Sequence, residues 1–236
     1  MGMTSPVLVM ADPMPNPELL RSLGRLVRGL SALFWGLPLA LVVCVQTAKS
    51  DWLRPVGIFP PILATGLLLY GLILLGRFQK QERIWRTALD RAKIFGVINV
   101  GLSPFLYWWN KLPSEPFYGA MVYLMMFSGG LFLFALNPVL WRLAAMLPDE
   151  ALRSETKLFT LLNRCLLLVT LAVTGGCIML ARINELPRVL INVLAFFDQR
   201  GLWLALFSIL LPLAMTMALI WKIKEVILAS VFDAGQ

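Results

Sequence analysis

The sequence predicts an all-α, polytopic integral membrane protein of about six transmembrane helices, and three observations predict it. First, 59% of the 236 residues are hydrophobic and only 14% charged, against about 45–50% and about 25% in soluble domains. Second, the charges cluster, so that long uncharged runs alternate with short basic segments, as spans alternate with loops. Third, the bases fall mainly on alternate loops, which sets orientation. A 17-residue N-terminal arm and a single transmembrane domain over residues 18–236 are expected.

Residues 1–17 carry Pro6, Pro13, Pro15 and Pro17 and read as an extended arm. They lack the basic start and apolar run of a cleavable signal. From Glu18 the pattern turns helical, with Leu19, Leu23, Leu26, Val27 and Leu30 on one face and Arg21, Arg25 and Arg28 on another. That is an amphipathic lead-in expected at a headgroup surface. It feeds a first span over about 30–47, with Pro38 inside.

The second span covers about 56–76, begins near Pro60-Pro61 and contains Gly66, Gly71 and Gly76. Residues 77–93 form the most basic stretch, predicted to be a surface amphipathic helix. Ile84, Trp85 and Leu89 would face lipid, and Arg83, Arg86 and Arg91 would contact anionic headgroups. The third span, 94–110, is short and ends on Tyr107-Trp108-Trp109, an interfacial aromatic signal. The fourth, 117–137, has Ser128-Gly129-Gly130 near its middle.

Pro148-Asp149-Glu150 reads as a helix start, with acids favoured by the N-terminal dipole. The fifth span, 161–180, follows, with Arg164 near its start and Ala172, Gly175 and Gly176 deeper in. The segment Val189–Phe197 is apolar but too short to cross, and is expected as an interfacial helix after Pro187. The sixth span is 201–221, with an amphipathic tail beyond it.

With the N-terminus inside, fifteen of the twenty-one bases fall on the inner side. They are Arg21, Arg25, Arg28, the six between Arg77 and Lys93, Arg142, Arg153, Lys157, Arg164, Lys222 and Lys224. Lys49, Arg54, Lys111, Arg182, Arg188 and Arg200 fall outside. This asymmetry favours both termini in the cytoplasm, in a layout read as that of a bacterial inner-membrane protein.

Leu23-Gly24-Arg25, Leu89-Asp90-Arg91 and Leu162-Asn163-Arg164 each open an odd span, with Pro38, Pro104 and Cys177 thirteen residues after the arginine. Three tandem helical hairpins would explain that pattern. Simple gathering of Trp and Arg at one interface would explain it too.

The chemistry is sparse. No histidine occurs, which removes, within this chain, every site that needs an imidazole ligand or base. No carboxylate lies mid-span, no nucleotide or nucleophile motif is present, and no catalytic residue, metal site or cofactor is expected. The bases lie at span ends rather than along one face, so no nucleic-acid partner is expected. Cys44, Cys165 and Cys177 read as buried apolar thiols, with a Cys44–Cys177 disulfide as the alternative.

Asn99 and Ser103, beside Pro104, are the candidate polar site, competing with simple interhelical bonding at a tolerated kink. Arg164 is read as snorkelling to the inner surface. Ser128, Gly129, Gly130, Ala172, Gly175 and Gly176 are the candidate helix-packing or partner contacts. The functional expectation is a non-catalytic integral subunit or scaffold of a larger membrane complex. Its partners would be membrane lipids and other integral subunits, or further copies of the chain. The alternative is a small channel or carrier for an apolar or lipid-like solute.

Overall fold

The computed structural model describes residues 17–78, 82–147, 150–180 and 188–233, and within them every regular element is helical. Seven α-helices follow in order: α1 (Pro17–Lys49), α2 (Phe59–Leu75), α3 (Arg83–Leu102), α4 (Pro104–Lys111), α5 (Pro116–Ala145), α6 (Glu150–Leu180) and α7 (Arg188–Asp233). Residues 1–16 of the N-terminal arm and residues 181–187 lie outside the described part, as do Pro148 and Asp149. Among the described residues, four helices are long and apolar enough to cross a bilayer, over Arg21–Lys49, Pro116–Ala145, Arg153–Val173 and Phe207–Ala229. That is consistent with a helical integral membrane protein. Six such helices were expected. The other two differ because Phe59–Leu75 has only 17 residues, and because α3 and α4 divide the third predicted span between them.

Successive rods run antiparallel. A register links α1 and α2, where Gly29 meets Leu74 and Leu75, Gly36 meets Leu68, and Gly71 meets Leu33. These two helices form the most extensive pair, followed by α3 with α5. The bundle is closed by α7, which packs on α6, α5 and α1. Phe34 and Trp221 meet across α1 and α7 with ring centroids 5.6 Å apart.

The apolar core lies toward the end of the bundle that carries most of the bases. Leu26, Leu30 and Leu33 of α1 are fully buried there, with Leu72 and Leu75 of α2, Leu136 and Leu140 of α5, and Ile220, Ile223 and Ile227 of α7. The apolar stripe of the α1 lead-in therefore packs inward on protein, and Arg21, Arg25 and Arg28 stay exposed or half-exposed at its back. Trp85 is fully buried and Leu89 nearly so. This corrects the expected surface helix over 77–93. Trp85 and Leu89 of its apolar side are used against the bundle while Ile84 is exposed, and the segment from Arg83 runs straight on into the third predicted span as one helix.

A second correction concerns α7. It is a single helix of 46 residues, about 69 Å at 1.5 Å per residue, so Val189–Phe197 is its first part and not a separate interfacial helix. Hydropathy marks only the lipid-facing portion of a helix, and the hydrogen-bond ladder continues beyond it. α5 likewise continues to Ala145 through Pro138, past the span end expected at Asn137. Cys44 is a free thiol, not a disulfide partner.

The opposite end is looser and aromatic. Trp52 is 81% exposed and Phe59 64%. Trp108 stacks on Tyr118 at 6.3 Å, and Lys111 Nζ sits over both Trp108 and Tyr107, at 5.6 and 6.0 Å. Asn110 Nδ2 donates to the carbonyls of Thr47 and Ser50, each at 3.1 Å. It thereby satisfies carbonyls that the end of α1 leaves without partners. The turn from α1 to α2 uses Gly57 at φ 67°, ψ −131°, a conformation open in practice only to glycine.

Candidate functional site

The most concentrated polar chemistry lies between α5, α6 and α7. Along α6 the buried positions are Thr156, Thr160, Asn163 and Leu167, at helical spacing, and the first three are polar. Leu158, Phe159, Leu161, Leu162, Leu168 and Val169 point outward and are 41–60% exposed. A helix with its polar face inside and its apolar face out is stable only where the surroundings are apolar, because the inner polar groups can then pair only with protein.

Asn163 is the hub. Its Nδ2 donates to Asn137 Oδ1 at 3.1 Å and to Thr216 Oγ1 at 2.9 Å, tying three helices together. Each partner is itself anchored one turn back. Asn137 Nδ2 donates to the Leu133 carbonyl at 3.0 Å, and the Thr216 hydroxyl to the Pro212 carbonyl at 2.8 Å. All three residues are at most 1% exposed.

Prolines explain part of the pattern. Pro212 has no N–H for the Ser208 carbonyl four residues back, and the Thr170 hydroxyl of α6, which donates to its own Leu166 carbonyl at 2.9 Å, lies 3.4 Å from that carbonyl. Polar side chains therefore gather where α7 has lost a rung of its ladder. Three buried oxygens along the same face of α6 have no partner within the described structure: Thr156 Oγ1, Thr160 Oγ1 and Asn163 Oδ1.

The residues singled out from sequence are distributed elsewhere. Asn99 and Ser103 are both buried at the junction of α3 and α4. The Ser103 hydroxyl donates to the Val100 carbonyl at 2.8 Å, the carbonyl that Pro104 cannot serve. Ser103 is thus a kink-satisfying residue, while Asn99 Oδ1 is unpartnered.

On α5, Ser128 is buried, with its hydroxyl unpartnered. A Cβ on Gly130 would meet Leu171 Cδ2 at 2.8 Å, and one on Gly129 would meet nothing within 4 Å. Gly175 and Gly176 also face open space, and Ala172 is exposed. Arg83, Arg86 and Arg91 are exposed.

The three Leu-x-Arg triplets do not occupy equivalent environments. Leu23 is half-buried, Leu89 buried and Leu162 exposed. Among the described residues, no group of three or more His, Cys, Asp or Glu gathers where a metal could be held.

Asn137 and Thr216 were not singled out from sequence. A signal existed in Asn137-Pro138 and in Pro212 followed four residues later by Thr216, since prolines inside apolar runs call for polar side chains nearby. Comparison with protein-family models, with curated proteins and with solved structures finds no match.

Proposed function

We propose that the chain is a non-catalytic integral membrane subunit that docks other integral polypeptides through the outer surfaces of α5 and α6. The observation that carries this reading is the open glycine face. A Cβ on Gly129, Gly175 or Gly176 would meet nothing within 4 Å, although glycine weakens a helix unless a close approach repays it. Among the described residues no neighbour makes that approach, and a helix from a partner could.

The proposed topology has six spans and both termini cytoplasmic. Its supports are the alternation of antiparallel rods, the inner excess of bases and the aromatic girdle around Trp108 and Tyr118. In it α2 crosses with about 26 Å of helix, and α3 and α4 cross together as one kinked rod. The pairs α1–α2, α3/α4–α5 and α6–α7 would be the three hairpins. Reporter fusions after Gln236 and within residues 182–187 test it, and an extracytoplasmic C-terminus would remove it.

The docking reading is tested by extracting the full chain into native nanodiscs and identifying stoichiometric integral partners. Gly175→Leu with Gly176→Leu should release them while the chain stays monodisperse. Purification alone, unaffected by the substitutions, would refute it. A small channel or carrier is the second reading, favoured by the unpartnered oxygens of Thr156, Thr160 and Asn163. A lone oligomer with solute flux that these residues control would select it.

A further inference from the structure

Arg164 stands out among the bases. It belongs to the apolar span Arg153–Val173 and lies next to Asn163, level with the buried polar hub. A cation at that depth needs a counter-charge or a polar partner. Its guanidinium lies over the Phe134 ring of α5, 4.9 Å from the centroid. The ion pairs found among the described side chains are Arg54–Asp51, Lys93–Asp90 and Lys222–Glu155, and none involves Arg164.

The surroundings repeat this chemistry. Helical geometry puts Arg153, Lys157 and Arg164 on one strip of α6, at intervals of four and seven residues. Two contacts fix that strip beside α5: Arg164 on Phe134, and Arg153 donating to the Ala145 carbonyl at 3.2 Å. On α5, Trp141 falls on the facing strip between Phe134 and Ala145, and Arg142 lies over its ring at 4.8 Å. Glu155 lies on the far flank of α6, paired with Lys222 of α7.

We infer that the outer groove between α5 and α6 binds the phosphate of an anionic phospholipid in the inner leaflet through Arg142, Lys157 and Arg164. Two features select a lipid over a soluble anion. The cations lie on a membrane span, with Arg164 about 10 Å along the helix from Lys157, so a phosphate between them sits at headgroup depth while both side chains reach toward the interface. Above Arg164 the groove turns apolar, lined by Leu168 (53% exposed) and Phe127 (41% exposed). The ligand therefore needs a charged head and an acyl chain in that order. Phe134 and Trp141 hold two of the cations by their ring faces, which orders them before the lipid arrives.

The test uses the purified full chain in detergent, titrated with phosphatidylglycerol or phosphatidylcholine and read by native mass spectrometry. Each base near an anionic headgroup contributes about 1 kcal/mol, about a fivefold change in affinity. Lys157→Gln alone, at an exposed position, should weaken phosphatidylglycerol binding about fivefold. Lys157→Gln with Arg164→Gln should weaken it about 25-fold, with phosphatidylcholine unchanged. Arg83→Gln, Arg86→Gln and Arg91→Gln together should leave the tightest lipid in place.

Three results would each overturn the proposal: equal retention of the two lipids by the unaltered chain, an equal loss from the α3 triple variant, or displacement of the lipid by millimolar inorganic phosphate. The first two would mean diffuse surface charge, and the third a free-anion site.

Discussion

Alanine at Gly29 separates two opposed effects whose magnitudes the α1–α2 contact decides. In a helix interior, glycine to alanine gains about 1 kcal/mol from intrinsic propensity. At Gly29 the new methyl would lie 3.0 Å from the Gly71 carbonyl oxygen, 3.2 Å from Leu74 Cβ and 3.2 Å from Leu75 Cδ1. The first is a backbone atom and cannot rotate away. The contact is reciprocal, since a Cβ on Gly71 would lie 3.0 Å from the Gly29 carbonyl oxygen and 2.9 Å from Leu33 Cγ. Relief therefore requires the helices to part by a few tenths of an ångström, which thins dispersion contacts along the bundle's most extensive pair. Overpacking of this kind costs about 1–3 kcal/mol, so the penalty outweighs the propensity gain.

We expect Gly29→Ala and Gly71→Ala each to lower stability, by up to about 2 kcal/mol. The double variant should lose less than the two singles together, because the first alanine has already opened the gap. Gly24→Ala and Gly129→Ala, where nothing lies within 4 Å, should be neutral or slightly stabilising. The assay is reversible unfolding in mixed micelles followed by circular dichroism. Equal stability across all four single variants would show that α1 and α2 are not in backbone contact.

Two further outcomes follow from the ends of the bundle. Asn110→Ala removes two bonds to the last carbonyls of α1 and should lower stability by about 1–2 kcal/mol. Hydrogen exchange should speed up in the last turn of α1 while its first half is unaffected, and unchanged exchange there would count against the cap. The Lys222–Glu155 pair is about half exposed on both sides, so Glu155→Gln should cost at most about 1 kcal/mol. The charge swap Glu155→Lys with Lys222→Glu should recover it, and failure to recover in the same unfolding assay would mean the two side chains do not interact.

What was legible in the sequence was whatever lipid imposes on composition. Charge-free runs marked the long apolar helices, four of them long enough to cross a bilayer, and Tyr107-Trp108-Trp109 marked a cluster in which Trp108 stacks on Tyr118. Less legible was which side of each helix meets protein. In a soluble helix water makes the outer face polar, so the pattern reveals the inner one. In α2, α5 and α7 both faces are apolar, so the burial of Leu72, Leu136 and Ile220 beside the exposure of Ile73, Leu124 and Leu210 leaves no periodic trace. Glycines showed the same limit. The close approach lies at Gly29, Gly36 and Gly71, while the adjacent pair Gly175-Gly176, more conspicuous as text, meets open space. A seven-residue interval does join Gly29 to Gly36 and Ala64 to Gly71, and that spacing was the available signal. Trp85 was misassigned because a tryptophan beside arginines suits an interface and a buried corner equally well.

The polar hub gives the sharpest test of whether α6 faces inward as described. Asn163 donates two interhelical hydrogen bonds, and bonds of this kind between membrane helices are worth about 0.6 kcal/mol on average and at most about 1.7. Losing both should cost about 1 to 3 kcal/mol. The unpartnered Asn163 Oδ1 pulls the other way, because deleting the amide also deletes a buried acceptor with nothing to accept from. Asn163→Ala should therefore fall near the lower end of that range. Thr216→Val is cleaner. It keeps the side chain's shape, takes from Asn163 an acceptor at 2.9 Å, and removes the hydroxyl from the Pro212 carbonyl at 2.8 Å. That carbonyl also belongs to the helical ladder, so most of the loss should come from the Asn163 bond, about 0.6–1.7 kcal/mol. In a double-mutant cycle, Thr216→Val and Asn163→Ala should couple by a similar amount, while Thr216→Val and Asn110→Ala, at opposite ends of the bundle, should be additive. Zero coupling in the first cycle, with both single variants folded, would mean that α6 does not turn Asn163 toward α7, and the inward polar face would have to be redrawn.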